Sequence, residues 1–237
     1  MRAIPGLRDA GAPPGSTRAL REKVAMKKSL ILLTKDEGIK LGIPGWFTRG
    51  YLPHFSEEHR TQHVTFRLAD SLPAAVLEAW EAELLLLPEE ERQKERYKRV
   101  EQYLDAGHGA CYLGDPRCAE IVQNAVLFFE GERYDLHAWC VMPNHVHTLF
   151  TPHTGWEWSQ IAGSWRSYSA KECNKILERT GQFWQRDPFD RFMRDQKHFE
   201  KTIRYIENNP VKAGLCEKPE DWPWSSASWR KKLEEQK

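Results

Sequence analysis

The 237-residue chain has almost no net charge, no long apolar run and no paired cysteine motif. Lys and Arg total 35 against 34 Asp and Glu, a formal charge of +1. That balance excludes a histone-like protein, whose affinity for nucleic acid comes from bulk positive charge. No stretch approaches the ~18 consecutive apolar residues that cross a bilayer. The five cysteines (Cys111, Cys118, Cys140, Cys173 and Cys216) are scattered, with no CxxC pair. They read as reduced thiols, which argues against a disulfide framework or a thiolate zinc site and favours a soluble cytoplasmic protein. No GxxxxGK[ST] phosphate loop and no internal repeat occur. Disorder is excluded in turn, because 40% apolar residues can build a core. Tryptophan is abundant, at ten residues.

Residues 1–25 are rich in Arg, Ala, Pro and Gly without amphipathic period or apolar signal segment, and read as a disordered tail or as sequence upstream of a start at Met26. Residues 26–59 read as a surface arm. The ordered domain begins near residue 60, where His63, Thr65 and Arg67 alternate with Val64, Phe66 and Leu68 in a half-buried strand. A helix follows over 74–87, entered at Pro73. Residues 88–103 carry ten charges in sixteen positions and read as a solvated helix laced with i,i+4 pairs. This is taken as part of an insertion over 88–118, with a further helix at 117–130. Two strands, 134–142 and 145–151, joined through Pro143–Asn144, form an antiparallel pair. A helix at 156–177 and an extended, aromatic, basic stretch at 183–194 come next. The last helix spans 196–208 and is expected to stop before Asn209–Pro210, because a residue preceding proline is pushed out of the helical region. The order predicts an α+β, ferredoxin-like antiparallel sheet with helices packed on one face. Residues 227–237 read as a charged tail.

His145 and His147 flank Val146 in a predicted strand, so both imidazoles share one face. Such a pair is either half of a divalent-metal site or two histidines on a surface strand. In the last helix Phe199, Ile203 and Ile206 form a core-facing stripe. Tyr205 lies off that stripe, with Asn209 one turn later on the same flank. Tyr205 is either a half-buried aromatic or, beside a metal, a nucleophile towards a phosphodiester. An Asn carboxamide oxygen suits Mg²⁺ or Mn²⁺ better than zinc.

The segments VMPNHVHTLF, TIRYIENNPVKAGL and PEDWPWSS resemble the IS200-like single-tyrosine transposases, in particular the REP-associated tyrosine branch, over about residues 60–226. The resemblance implies that His145–Val146–His147 is the family's two-histidine metal motif. It implies that Tyr205 attacks a DNA phosphate and forms a 5′-phosphotyrosine link. Asn209, where the shorter branch tends to carry Gln, then completes the metal site. The implied enzyme is a divalent-metal-dependent transposase that cuts and rejoins single-stranded, hairpin-forming DNA in the bacterial cytoplasm. A monomer is favoured over the dimer of the shorter branch. Tyr168, in WRSYSAKECNK, is the competing tyrosine and lacks the YIxNN context. A covalent intermediate conserves the phosphodiester energy, which fits the missing phosphate loop.

How a near-neutral chain would hold DNA follows from residues 160–204, where ten basic residues face six acidic ones, a local excess of +4. Arg166, Lys171, Arg186, Arg191, Arg194, Lys201 and Arg204 are the candidate phosphate contacts. Phe183, Trp184, Phe189 and Phe192, with Trp165, are interleaved as candidate base-stacking rings, the recipe for single-stranded DNA, unless they are core. Trp222, Trp224 and Trp229 are expected to pin the C-terminal segment to the sheet. Two other function classes stay open: a domesticated protein that grips DNA hairpins without cutting them, and a metal phosphodiesterase in which Tyr205 is structural.

Overall fold

A computed structural model of the chain describes residues 46–48, 53–55 and 60–236. The tail expected over 1–25, and most of the arm expected over 26–59, lie outside these residues. Within the arm, β1 (Trp46–Thr48) and β2 (Pro53–Phe55) pair antiparallel as a two-stranded sheet.

The main sheet starts with β3 (Gln62–Arg67). Two helices, α1 (Ala74–Leu84) and α2 (Glu89–Asp105), lead to α3 (Pro116–Leu127), capped by Asp115, which accepts from the Arg117 amide at 2.9 Å. The hairpin of β4 (Tyr134–Val141) and β5 (His145–Pro152) follows, then α4 (Trp158–Ile176) and β6 (Phe189–Phe192). The chain closes with α5 (Gln196–Lys212) and α6 (Ser226–Glu235). The strand order is β4-β5-β3-β6 with every neighbour antiparallel, the ferredoxin-like order expected of this α+β pattern.

The sheet separates two apolar clusters. On one face Val64, Phe66, Trp139, Val141, Val146 and Phe150 pack against Val122 and Val126 of α3 and Ile161 and Trp165 of α4. Buried rings here need partners for their polar ends. The Tyr134 hydroxyl donates to the Val126 carbonyl at 2.7 Å and accepts from Trp165 Nε1 at 3.0 Å. Trp184 Nε1 donates to Ser169 Oγ at 3.0 Å, and Trp139 Nε1 to Gln123 Oε1 at 3.2 Å. On the opposite face Ala138, Cys140, Met142 and Leu149 meet Phe199 and Ile206 of α5. Helices therefore pack on one face as expected for α3 and α4, and α5 adds a layer on the other.

Strand β4 serves both faces through a β-bulge between Leu136 and Ala138. Tyr134 and Leu136 face α3 and α4; beyond the bulge Trp139 and Val141 take that role, while Ala138 and Cys140 turn towards α5. The extra residue shifts the period-two phase, which the run YDLHAWCVM does not announce.

Three expectations are corrected. Helix α5 does not stop at Asn209; it carries Pro210 inside and runs to Lys212. Proline removes one amide donor and costs about 3 kcal/mol in a helix interior, and the burial of Asn209 and Pro210 offsets it. The true stop is Gly214, whose φ of +72° permits a Schellman closure, with Gly214 N to Val211 O at 3.0 Å and Leu215 N to Pro210 O at 2.9 Å. The charged run of α2 is not solvated all round: Glu101 and Leu104 are buried, and the Tyr97 ring lies 4.6 Å from that of Phe189. Its ion pairs reach across to α1 (Arg96–Glu81 and Arg99–Glu83) as well as within the helix (Arg99–Glu95). Residues after 226 are not a loose tail but α6, capped by Ser225 and tied down by the Arg230–Glu207 pair. The expected role of the late tryptophans holds at the edge of β4, where Trp222 Nε1 donates to Val141 O at 2.9 Å and Val141 N to Trp224 O at 2.9 Å. That segment also covers the exposed edge. The Trp229 ring lies 6.1 Å from that of Trp139.

Phe150 is fully buried between the rings of Tyr134 and Trp165. Phe150→Ala should lower stability by about 3–5 kcal/mol, read as a reduced urea midpoint with an unchanged m-value.

Candidate active site

Residues paired across antiparallel strands point to the same face. Thr65 pairs with His147 and Arg67 with His145, while His63 pairs with Leu149 on one side and Arg191 on the other. His63, Thr65, His145, His147 and Arg191 therefore share the face covered by α5. His145 and His147 are both fully buried, so the surface-strand alternative is excluded. Their Nε2 atoms lie 3.0 Å apart.

The protonation of His145 follows from its neighbours. Asn144 Nδ2 donates to the carbonyls of Leu104 and His108 at 3.2 and 2.9 Å, which fixes the amide and turns Oδ1 towards His145 Nδ1 at 2.7 Å. An oxygen acceptor there puts the proton on Nδ1 and leaves a lone pair on Nε2. His147 Nδ1 lies 2.9 Å from Thr65 Oγ1 and 3.2 Å from His63 Nε2. Its Nε2, facing His145, also receives Asn209 Nδ2 at 3.1 Å. Two nitrogen lone pairs thus converge on one point.

Helix α5 brings Tyr205 and Asn209 to that point from above. The Tyr205 ring stands edge-on to His147 and His63, with centroids 5.5 and 6.0 Å away. Its hydroxyl is buried without a hydrogen-bond partner among the described residues, as is Asn209 Oδ1. A half-turn of the Asn209 carboxamide exchanges Nδ2 for Oδ1 beside His147. Among the described residues no group of three His, Cys, Asp or Glu forms a metal site by itself. Turned in that way, Asn209 Oδ1 would stand as an oxygen donor beside the two histidine Nε2 atoms, a set whose chemistry fits a divalent cation.

Burial holds the His63 and His145 imidazoles down at about 3, with Arg191 and His198 adding to the effect on His63 and Lys212 on His145. His147 is pushed down further by burial and by its neighbours. The histidines are thus neutral imidazoles, not charge carriers. One turn from the end of α2, burial and the Asp105 carboxylate raise Glu101 to about 8. A cavity of about 390 Å³ opens beside Thr65, between β3, the α1–α2 hairpin and residues 185–189, with Arg67, Tyr97 and Glu101 in its walls.

The candidate DNA contacts are divided by the sheet. Arg191 projects beside His63, Lys201 and Arg204 are exposed on α5, and Arg194 sits between β6 and α5. Lys171 is exposed on α4, behind the sheet, and Arg186 lies on the exposed connection before β6. Arg166 is engaged internally: its Nη2 donates to the Gln185 and Arg186 carbonyls, pinning that connection. Trp165, Phe183 and Trp184 are core, and only Phe189 and Phe192 keep partly open rings. Tyr168 is 55% exposed on α4, on the face away from the histidines.

Sequence reasoning missed Asn144, His63 and Thr65 as site residues. Asn144 carried only a turn signal, and the β3 pair was recognisable as one polar face but not as the neighbour of His147.

A histidine whose pKa is lower folded than unfolded binds fewer protons when folded. Stability is then undiminished above the ordinary value of 6.5 and falls as pH drops towards about 3. Metal-free protein should lose urea resistance progressively from pH 6.5 to pH 4, with a shallower slope in His63→Gln. An equal slope in that variant would contradict the assignment.

Residues 115–209 match the family described as "Transposase IS200 like". A REP-associated tyrosine transposase of Escherichia coli is 25% identical over 108 residues, covering 45% of this chain and 63% of that protein. A Haemophilus influenzae protein assigned to the same group is 30% identical over 103 residues, covering 39% of this chain and 58% of its own. The chain therefore spans somewhat less than two thirds of the length of these relatives. A solved REP-associated tyrosine transposase bound to a REP hairpin aligns at a TM-score of 0.49 and 18% identity, over 76% of this chain and 82% of that one. The segment that is similar to the IS200-like transposases, residues 115–209, contains His145, His147, Tyr205 and Asn209.

Proposed function

We propose that the protein is a metal-assisted transposase that cleaves and rejoins single-stranded, hairpin-forming DNA of the REP type, with Tyr205 as nucleophile. The observation that carries this reading is the convergence of two buried histidine Nε2 atoms, 3.0 Å apart, with the unpartnered Tyr205 hydroxyl and Asn209 carboxamide.

His145, His147 and Asn209 would hold Mg²⁺ or Mn²⁺, which supplies polarisation of the phosphoryl oxygens. Burial keeps the two imidazoles neutral, and Asn144 and Thr65 keep them correctly turned. Tyr205 oxygen forms a bond to phosphorus as the P–O3′ bond breaks. The phenolic proton leaves to solvent, the departing 3′ oxygen takes up a proton, and a 5′-phosphotyrosine remains. Reversal of the same exchange, with a 3′-hydroxyl as attacking group, rejoins the strand without ATP. Half-buried against His63 and His147, the Tyr205 ring already faces the histidines, so part of the entropy of orientation is spent in folding. Exposed Arg191, Lys201 and Arg204 on the same side supply phosphate contacts.

Wild type incubated with a single-stranded hairpin and Mn²⁺ should give a covalent protein–DNA adduct on a denaturing gel. Tyr205→Phe should give none while retaining hairpin affinity. Hairpin binding by wild type without adduct or cleavage would favour a non-catalytic DNA-binding protein; cleavage by Tyr205→Phe would assign the chemistry to another group.

The placement of cations predicts a directional effect on affinity. Arg191→Ala with Arg204→Ala should weaken hairpin binding and flatten the dependence of log affinity on log salt by about 1.4, at about 0.7 per single-strand phosphate contact. Lys171→Ala, behind the sheet, should change neither in a fluorescence-anisotropy titration.

A further inference from the structure

We propose that Asp105, at the end of the charged helix α2, is a further protein donor to the cation held by His145 and His147. The inference rests on the metal reading above and extends it to an element that looked like a solvated insertion. Tyr97, Glu101 and Asp105 recur at every fourth position of α2, and this stripe faces the sheet. The Asp105 side chain is only 9% exposed. Its Oδ2 accepts from Lys212 Nζ at 2.6 Å, whereas Oδ1 is buried, lacks any hydrogen-bond partner among the described residues and lies 4.0 Å from His145 Nε2.

The spacings suit one octahedral ion. With metal–oxygen bonds of about 2.1 Å, adjacent donors lie about 3.0 Å apart and opposite donors about 4.2 Å apart. The His145–His147 separation of 3.0 Å matches adjacent donors, and Asp105 Oδ1, 4.0 Å from His145 Nε2, lies within the span of the same coordination sphere. Lys212, on α5, pairs with Oδ2 alone and leaves Oδ1 without a partner among the described residues, so the approach of Oδ1 to the histidines does not depend on the lysine.

Charge points the same way. Two neutral imidazoles and an amide carry no charge, and hard dications bind best where a carboxylate is present. Asp105 supplies that charge. The segment that carries it is also tied to the histidine site, because Asn144, which orients His145, donates to the carbonyls of Leu104 and His108 on either side of Asp105. The α2 helix end and the β5 strand are therefore one unit at this point.

The test is Mn²⁺ titration of the full-length, metal-free protein by calorimetry, which needs no DNA and no turnover. Asp105→Asn and Asp105→Ser should each weaken Mn²⁺ binding at least tenfold, with the melting temperature in chelator unchanged for at least one of them. Lys212→Met should bind Mn²⁺ no more weakly than wild type. Wild-type affinity in both Asp105 variants would overturn the proposal, as would an equal loss in Lys212→Met, since Asp105 would then matter only as the partner of Lys212. Binding by wild type that is lost in His147→Ala but kept in the Asp105 variants would leave the histidine site standing and remove Asp105 from it. Absence of Mn²⁺ binding in wild type would overturn both readings together.

Discussion

Two neutral imidazoles with their Nε2 lone pairs turned on each other at 3.0 Å, out of contact with water, are the constraint to which much of this molecule answers. Left alone, two acceptors in a dry space repel, and burial of polar groups without partners is costly. The structure holds them by fixing the far side of each ring. Asn144 Oδ1 accepts a hydrogen bond from Nδ1–H of His145, and its amide is locked by donating to two carbonyls, while Thr65 lies beside Nδ1 of His147. Around the centre Tyr205, Asn209 and Asp105 each carry an oxygen that has no hydrogen-bond partner among the described residues. A protein tolerates that concentration of unsatisfied atoms where a ligand completes it.

The sheet makes this tolerable by isolating it. Its other face is a dense aromatic core in which Tyr134, Trp139, Trp165 and Trp184 each find a hydrogen-bond partner. Stability is thus gathered on the α3–α4 side, and the α5 side can carry buried polar groups. The bulge in β4 lets one strand feed both sides. Helix α5 is secured beyond its proline by the Gly214 closure, so that Tyr205 and Asn209 sit well inside the helix instead of on a fraying end.

Much of the site was legible before any coordinates. The two-residue spacing of His145 and His147 and the four-residue spacing of Tyr205 and Asn209 follow from the periods of strand and helix. The ferredoxin-like order also follows from the run of elements. The role of Arg166 was not legible, because a guanidinium that binds backbone carbonyls looks in sequence like one that binds phosphate. Neither was the fate of Trp165, Phe183 and Trp184, since an aromatic beside a cation serves a core as well as a nucleic acid. The stop of α5 was misread because Pro210 is a stronger local signal than Gly214, while burial decides between them.

What the amino-acid sequence determined by itself is local: which residues share a strand face or a helix flank, where caps lie, and which motif segments occur. Those relations depend only on backbone periods. What the tertiary structure decided is which faces meet. The register of β3 against β5 brings His63 and Thr65 to His147, and the packing of α2 brings Asp105 towards His145 from forty residues away in the chain. Such meetings depend on the burial of the whole sheet, a cooperative property that no window of sequence contains.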